Sequence, residues 1–124
     1  MAIPKNIKAR IFRGYQSAAS NGDANAANFL CECYAWGFGV EVDQEKMVSW
    51  AIKAAELGTL DPVKSIASYY ISEILDDYGT LLFPWLLKAA ESGHNDSMWL
   101  VSLCYVMGIG TERNSEKFLE WHSK

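Results

Sequence analysis

The sequence predicts an all-α fold, an α-solenoid of antiparallel helix pairs with about three and a half repeats. The segment Trp50–Gly58 (WAIKAAELG) and the segment Trp85–Gly93 (WLLKAAESG) are identical at six of nine positions and lie 35 residues apart. A second motif alternates with the first, because Tyr34–Val40 (YAWGFGV) matches Tyr105–Thr111 (YVMGIGT). Repeats of this length whose apolar positions follow helical spacing are typical of helix-pair arrays, and no convincing strand is visible.

The repeat pattern predicts one domain with a leading helix and three helix pairs. The expected divisions are 1–22 for the leading helix, then 23–58, 59–93 and a truncated 94–124 for the repeats. We expect first helices at about 24–36, 61–75 and 95–107, second helices at about 44–57, 81–92 and 115–123, and a leading helix at about 4–20. The predicted N-caps are Asp43, Thr80 and Asn114, and Pro84 is expected in a first turn.

Aromatic residues recur at the repeat spacing. Because they return once per repeat in the same position, they are predicted to belong to the core shared by stacked repeats. Six residues are in this group: Tyr34, Tyr70, Tyr105, Trp50, Trp85 and Trp121.

The net charge of −4 conceals an uneven distribution. Residues 1–22 carry four basic residues and no acid, whereas residues 23–77 carry ten acids against three bases, a local charge of −7. An acidic chain is a poor nucleic-acid ligand, since phosphate binding requires a basic surface. The acidic middle instead indicates a partner with a basic surface, although solvated acidic faces are also common.

Composition argues for a reducing, cytoplasmic setting. Three cysteines, at positions 31, 33 and 104, are too few and too oddly placed for a disulfide framework. The N-terminal residues lack the apolar core of a signal peptide, and the longest stretch without charge, 97–111, is too short to span a membrane. No metal or cofactor is expected, because cysteine and histidine are not clustered at ligand spacing.

The double motif resembles the Sel-one-like repeat (SLR), a relative of the tetratricopeptide repeat. Residues 26–58 match most of the family pattern, residues 97–121 match moderately, and residues 62–93 match only through Tyr70 and Trp85–Gly93. The resemblance implies a right-handed solenoid that binds a protein or peptide along a concave face. The glycine turn expected after Tyr70 is missing, which leaves the geometry of that loop open.

By analogy with tetratricopeptide arrays, the first helix of each repeat should line the concave face. The residues expected to face inward are Asn25, Asn28, Glu32 and Trp36 in the first repeat, Asp61 and Lys64 in the second, and Asp96, Trp99, Leu103 and Met107 in the third. The alternatives are ordinary solvated positions for most of them and a core position for Trp99. A groove that is acidic at one end and apolar at the other would suit a ligand with basic and hydrophobic anchors.

Two loops are further candidate binding sites. Trp36 and Phe38 occupy variable positions of the first glycine turn, where burial is not required, so they should either contact a partner or pack on an adjoining turn. The segment 73–80 replaces the expected middle turn with an acidic one, in which Asp76, Asp77 and Tyr78 could dock a basic partner.

The sequence therefore predicts a non-enzymatic protein-binding module, because no nucleophile–base pattern or phosphate loop is visible. A narrower possibility is an immunity protein that neutralises a bacterial toxin, for example a basic nuclease, by direct binding. A third is self-association into a homodimer through uncapped ends of the array, near Phe118 and Trp121.

Overall fold

The computed structural model describes residues 2–69 and 71–123, without the side chains of residues 71–74. In these ranges the chain forms seven α-helices and no strand, and none of the helices is long and apolar enough to cross a membrane. The helices are α1 (Lys5–Ser20), α2 (Ala24–Trp36), α3 (Gln44–Glu56), α4 (Asp61–Tyr69), α5 (Ile71–Glu91), α6 (Asn95–Met107) and α7 (Ser115–His122).

The chain divides into two compact units, Met1–Pro62 and Val63–Lys124. The units are built alike, because α2 and α6 have the same length and begin 71 residues apart, as do the starts of α3 and α7. The same offset relates α1 to residues 76–91 of α5. We call residues at this offset equivalent.

Side chains cap the helices where the chain leaves each turn. The carboxylate of Asp43 and the amide oxygen of Asn114 accept from backbone N–H groups three residues ahead, at 3.0 and 2.9 Å, which confirms both predicted caps. Asp23 caps α2 in the same way, and the equivalent His94 caps α6 through its Nδ1 atom. Gly58 and Gly93 follow the ends of α3 and α5 with positive φ, as expected of helix stops.

An edge-to-face pair of rings joins the first two helices of the N-terminal unit. The rings of Phe12 and Tyr34 lie 5.5 Å apart at 90°, and both residues are buried. The loop after α2 then folds back on α1, so that Gly39 approaches the backbone of Lys8 too closely for any side chain. Sequence periodicity did not identify Phe12, since Ile7, Ile11 and Tyr15 form the more regular spacing on α1.

The C-terminal unit repeats this arrangement. The rings of Phe83 and Tyr105 lie 5.6 Å apart at 88°, and Gly110 lies against Phe83 as Gly39 lies against Phe12. Ile109, in the same loop, contacts the backbone of α5 at Gly79. The glycine turn of each unit is therefore a packing element that joins two helices.

The predicted acidic turn in the middle repeat is wrong, because residues 71–91 form one continuous helix. Thr80 is not an N-cap, and Pro84 lies inside α5 instead of in a first turn. Leu75, Leu82 and Leu86 explain the difference: they are buried and spaced seven and four residues apart, so one helix places them on one face. That burial outweighs the helix-breaking tendency of Gly79 and Pro84.

The predicted aromatic core is only partly correct. Tyr34 is buried, whereas Tyr105 and the three repeat tryptophans Trp50, Trp85 and Trp121 are half-buried, and Tyr70 lies outside the described residues. The small and aliphatic residues between them are the fully buried ones, including Ala27, Leu30, Leu82, Leu100 and Val101. The large rings therefore cover the edge of the core, where part of each indole still meets solvent.

Candidate functional site

The candidate residues on α2 share one face. Asn25, Asn28, Glu32 and Trp36 follow helical spacing, and all are at least partly exposed. Trp36, at the end of the row, is the most exposed tryptophan of the protein, with 72% of its surface accessible. The face is polar along most of its length and becomes aromatic at its C-terminal end.

The glycine turn after α2 separates its two aromatic residues. Phe38 is half-buried, with its ring 5.7 Å from the ring of Phe29 and 5.6 Å from the ammonium group of Lys8. Phe38 is therefore packed, as one of the two expected alternatives had it, although against helices α1 and α2 instead of an adjoining turn. Trp36 remains open to solvent.

The equivalent face of α6 is mainly apolar. Asp96, Trp99, Leu103 and Met107 are equivalent to the four α2 residues, and Trp99 and Met107 are 46% and 51% exposed. Val106 adds a further exposed side chain beside them. We call Trp99, Leu103, Val106 and Met107 the α6 stripe.

The core face of α6 is also apolar. Leu100, Val101 and Cys104 are buried on this side, so the apolar surface of the helix extends from its core face onto its exposed face. A helix that packs on one side needs apolar residues on that side alone. The sequence already shows this excess in the run from Trp99 to Met107, and Val106 was missed because it lies outside the predicted inward spacing.

Neighbouring side chains contact α6 near the N-terminal end of the α6 stripe. The indole of Trp99 lies 5.8 Å from the imidazole of His122, which in turn stacks on Phe118 at 5.3 Å. About one turn before Trp99, the hydroxyl of Ser68 donates a 2.8 Å hydrogen bond to the carboxylate of Asp96. The structure thus brings α4, α6 and α7 of the C-terminal unit together around Asp96 and Trp99.

The remaining candidates lie on α4 and α5. Asp61 is exposed at the start of α4, and Lys64 is half-buried one turn later. Asp76 and Asp77 are exposed on α5, where they belong to a regular helix instead of a turn, and Tyr78 is half-buried. Their accessibility agrees with a docking role, but the acidic turn expected there is part of a helix.

Charge on the surface is largely uncompensated. Within the described residues, one ion pair forms, between Lys117 and Glu120 at 3.9 Å. Three lysines instead lie over aromatic rings, at 5.6 Å for Lys8 over Phe38, 5.6 Å for Lys46 over Tyr34 and 4.6 Å for Lys88 over Trp85. The exposed acids of the middle of the chain are therefore available to an external cation.

Two clefts were not anticipated from the sequence. One, of about 490 Å³, lies between the start of α1 and the glycine turn, where Lys5, Lys8 and Glu41 reach its wall. The other, of about 480 Å³, lies between α5, α6 and α7 and includes Met98 and Trp121. Each belongs to a single unit, and both are wide and open.

The cysteine side chains are buried free thiols. Burial raises the pKa of Cys31 to about 12, with a further contribution from the Glu32 carboxylate, and raises the pKa values of Cys33 and Cys104 to about 11. They are protonated at neutral pH and therefore poor nucleophiles and metal ligands. In the part of the chain that the structure describes, no three histidine, cysteine or acidic side chains are placed to hold a metal ion.

Comparison with known protein families finds one whose sequence pattern matches this chain. The sequence fits the Sel1 repeat family model over residues 24–59, 85–94 and 95–124, which together make up more than half of the chain. No curated protein matches the sequence.

Solved structures similar to this one include the following two. The first is c5321, described as a protective antigen present in uropathogenic Escherichia coli strains displaying an SLR fold, with a TM-score of 0.67 and 21% identity over 90% of this chain and 24% of that one. The chain thus spans about a quarter of that protein's length. The second is a Sel1 repeat protein from Oxalobacter formigenes, with a TM-score of 0.60 and 26% identity over 93% of this chain and 87% of that one. These similarities confirm the predicted all-α solenoid class.

Proposed function

Because the chain belongs to the Sel1 repeat family, whose members are generally protein-interaction modules, we propose that it is a non-enzymatic module that binds a protein partner. The observation that carries this proposal is the α6 stripe. Its exposed tryptophan and methionine are residue types enriched at protein interfaces, and they lie together on one helix face. An apolar row on a helix is suited to an apolar face of a partner helix or loop.

The second part of the proposal is that acidic positions orient the partner. Asp76 and Asp77 on α5, in the same unit as the α6 stripe, are exposed and make no ion pair within the described residues. A partner with apolar anchors and a basic rim would match both features, and complementary charge chiefly increases the association rate.

The experiment is co-purification of the tagged chain followed by mass spectrometry. We expect one partner to be recovered by the native chain and lost when Trp99→Ser is combined with Met107→Ser. Tyr69→Ser is the matched control, since Tyr69 is an exposed aromatic residue on α4 outside the stripe. Equal recovery by the stripe variant and the control would contradict the proposal.

Two further variants locate the site. Loss of the partner with Trp36→Ala would include the end of α2 in the interface, and loss with Asp76→Lys/Asp77→Lys would include α5. Unchanged recovery in both would exclude these two regions and leave the α6 stripe alone.

Neutralisation of a basic toxin is a narrower form of this function. It is favoured by the charge of −7 over residues 23–77, which internal ion pairs among the described residues do not offset. The partner would then be a basic secreted protein encoded next to this gene, with affinity that falls steeply as salt increases. A partner that is acidic, or whose binding does not respond to salt, would exclude this form.

Self-association is a second candidate. Leu119 on α7 is 61% exposed, whereas Val48, its equivalent on α3, is buried. A second copy could cover this face and form a homodimer. Light scattering should then show a concentration-dependent dimer that Leu119→Ser abolishes, and a monomer at all concentrations would refute it.

A further inference from the structure

Trp36 combines the most accessible indole of this protein with a ring that no cation covers among the described residues. Lysine side chains lie over Phe38, Tyr34 and Trp85, as described above. Among the described residues none lies over Trp36, although its indole is the most accessible one. The negative face of the best cation-binding ring type is thus open to solvent.

The side chain one helical turn before Trp36 is a carboxylate. Glu32 is exposed, and residues four apart on a helix are neighbours on its surface. Helix α2 contains no lysine or arginine, and its C-terminal end carries the partial negative charge of the helix dipole. Carboxylate, indole and helix end therefore all favour a positive charge at one place.

An apolar side chain completes the site. The Cγ2 atom of Val42 approaches the Cβ position of Gly37, the residue after Trp36, to 3.2 Å, and Val42 is 65% exposed. An exposed valine beside the glycine turn that follows Trp36 can pack against the alkyl stem of a long basic side chain. We call Glu32, Trp36 and Val42 the α2 corner.

The C-terminal unit carries an arginine beside its own glycine turn. The residue equivalent to Val42 is Arg113, whose Cγ atom lies 3.2 Å from the Cβ position of Gly108, the equivalent of Gly37. Leu103 and Met107 take the places of Glu32 and Trp36. One unit thus supplies its own arginine beside the glycine turn, whereas the other has the carboxylate and the indole but no arginine.

We propose that the α2 corner binds an arginine side chain of the partner protein. The planar guanidinium can stack on the indole of Trp36 while its N–H groups donate to the carboxylate of Glu32, a combination that a lysine ammonium cannot make with the same geometry. The inference rests on the proposed function in taking the partner to be a protein, and it specifies one anchor of that partner.

The test uses two short peptides and the indole N–H signals of the full chain in ¹⁵N-correlated NMR spectra. The first peptide is acetyl-Gly-Arg-Gly-amide, and the second contains citrulline, which has nearly the same shape without the charge. We expect the Trp36 indole and Glu32 amide signals to shift with the arginine peptide at least about fivefold more than with the citrulline peptide. The Trp99 indole, which has Asn95 one turn before it, should not move.

Variants separate the contributions of charge and ring. Glu32→Gln keeps the shape of the side chain and should reduce the arginine response to that of the citrulline peptide, and Trp36→Leu should abolish the response at Glu32. Unchanged positions of the remaining signals show that both variants are folded. Equal shifts with the two peptides, or a full response in Glu32→Gln, would overturn the inference.

The inference and the proposed function can fail separately. If the peptides give no difference but a partner is still lost with the α6 stripe variant, only the arginine anchor is wrong. If the arginine response is present but no partner depends on the stripe, the proposed interface is wrong and the α2 corner stands.

Discussion

Gly39 lies against the backbone of Lys8, so closely that a Cβ atom on Gly39 would be 2.6 Å from the Lys8 carbonyl oxygen. Its φ of +75° is also in the left-handed region. A Cβ atom on the equivalent Gly110 would likewise lie 2.6 Å from the Cβ atom of Phe83. The recurring glycine of this repeat therefore has two roles, turning the chain and allowing a loop to contact a helix.

Gly39→Ala should lower the free energy of unfolding by about 2 kcal/mol or more, because backbone strain and a steric clash with α1 add together. Gly22→Ala is the matched control, since Gly22 has positive φ but no atom near its Cβ position. It should cost only about 1 kcal/mol. Urea denaturation measures both, and equal losses would show that the close approach to Lys8 is unimportant.

Pro84→Ala should stabilise the protein by about 1 to 3 kcal/mol, because a proline inside a helix removes a hydrogen bond and crowds the preceding turn. Pro84 is exposed, so alanine leaves no cavity. Pro4→Ala, at the exposed N-cap of α1, should change stability by less than about 0.5 kcal/mol. Thermal unfolding compares the two. No gain from Pro84→Ala would mean that a break near residue 80 persists and that α5 is not continuous.

His94→Ala should cost about 1 kcal/mol, because the Nδ1 atom of His94 accepts from the N–H of Ser97 at 3.2 Å and caps α6. His94→Asn retains an acceptor at this position and should stay within a few tenths of the native stability. Asp23→Ala, at the equivalent cap of α2, should cost a similar amount. Chemical denaturation measures the free energy of unfolding of each variant. An equal decrease for His94→Ala and His94→Asn would indicate that the imidazole stabilises the protein by packing instead of capping.

The buried thiols should react slowly in the folded protein. With a pKa of about 11 or 12, their thiolate fraction at pH 8 is about a hundredfold or more below that of an ordinary thiol. A colorimetric disulfide reagent should label them at normal rates only after unfolding in urea. Rapid labelling of the native chain would show that the cysteines are accessible.

The same pKa values predict a loss of stability at alkaline pH. The folded state holds these protons more tightly than the unfolded chain, whose thiols titrate near 9.0. The stabilisation that the protonated thiols contribute is fully present below the pKa of the unfolded chain. It decreases as the pH rises toward 11 to 12. Urea denaturation from pH 8 to 10.5 should show this decrease, and Cys31→Ala should reduce its slope. The prediction would be contradicted if the free energy of unfolding of the native chain did not depend on pH. An unchanged pH slope in Cys31→Ala would also contradict it.

The exact agreement of α2 and α6 with their expected ranges shows how much of the fold is encoded locally. Asp23 and Gly37 delimit α2, and Gly108 ends α6, so capping chemistry and left-handed glycine define these helices within a few residues. The middle repeat lacks such signals, and there the prediction was wrong. Its boundary was decided by buried leucines of α5, which the local sequence does not distinguish from those of a separate helix.

The accessibility of candidate residues was less predictable than their placement. Trp36 and Phe38 occupy similar variable positions of one loop, yet Trp36 is open and Phe38 packs against Phe29 and beneath Lys8. The two side chains differ in exposure because only one side of the turn faces α1. Which side that is depends on tertiary packing. The excess of apolar residues on α6 was visible in the sequence, but its exposure was not.

The amino-acid sequence alone determined the repeat length, the helix-pair class, the N-caps Asp43 and Asn114, the glycine stops, and the charge asymmetry between residues 1–22 and residues 23–77. These properties depend on spacing and residue chemistry within one repeat. Tertiary structure alone decided that α5 is continuous, that Phe12 and Phe83 anchor the glycine loops, and that the α6 stripe and α2 corner stay uncovered. Burial is a property of neighbours brought together by folding, and so it appears only when the helices are packed.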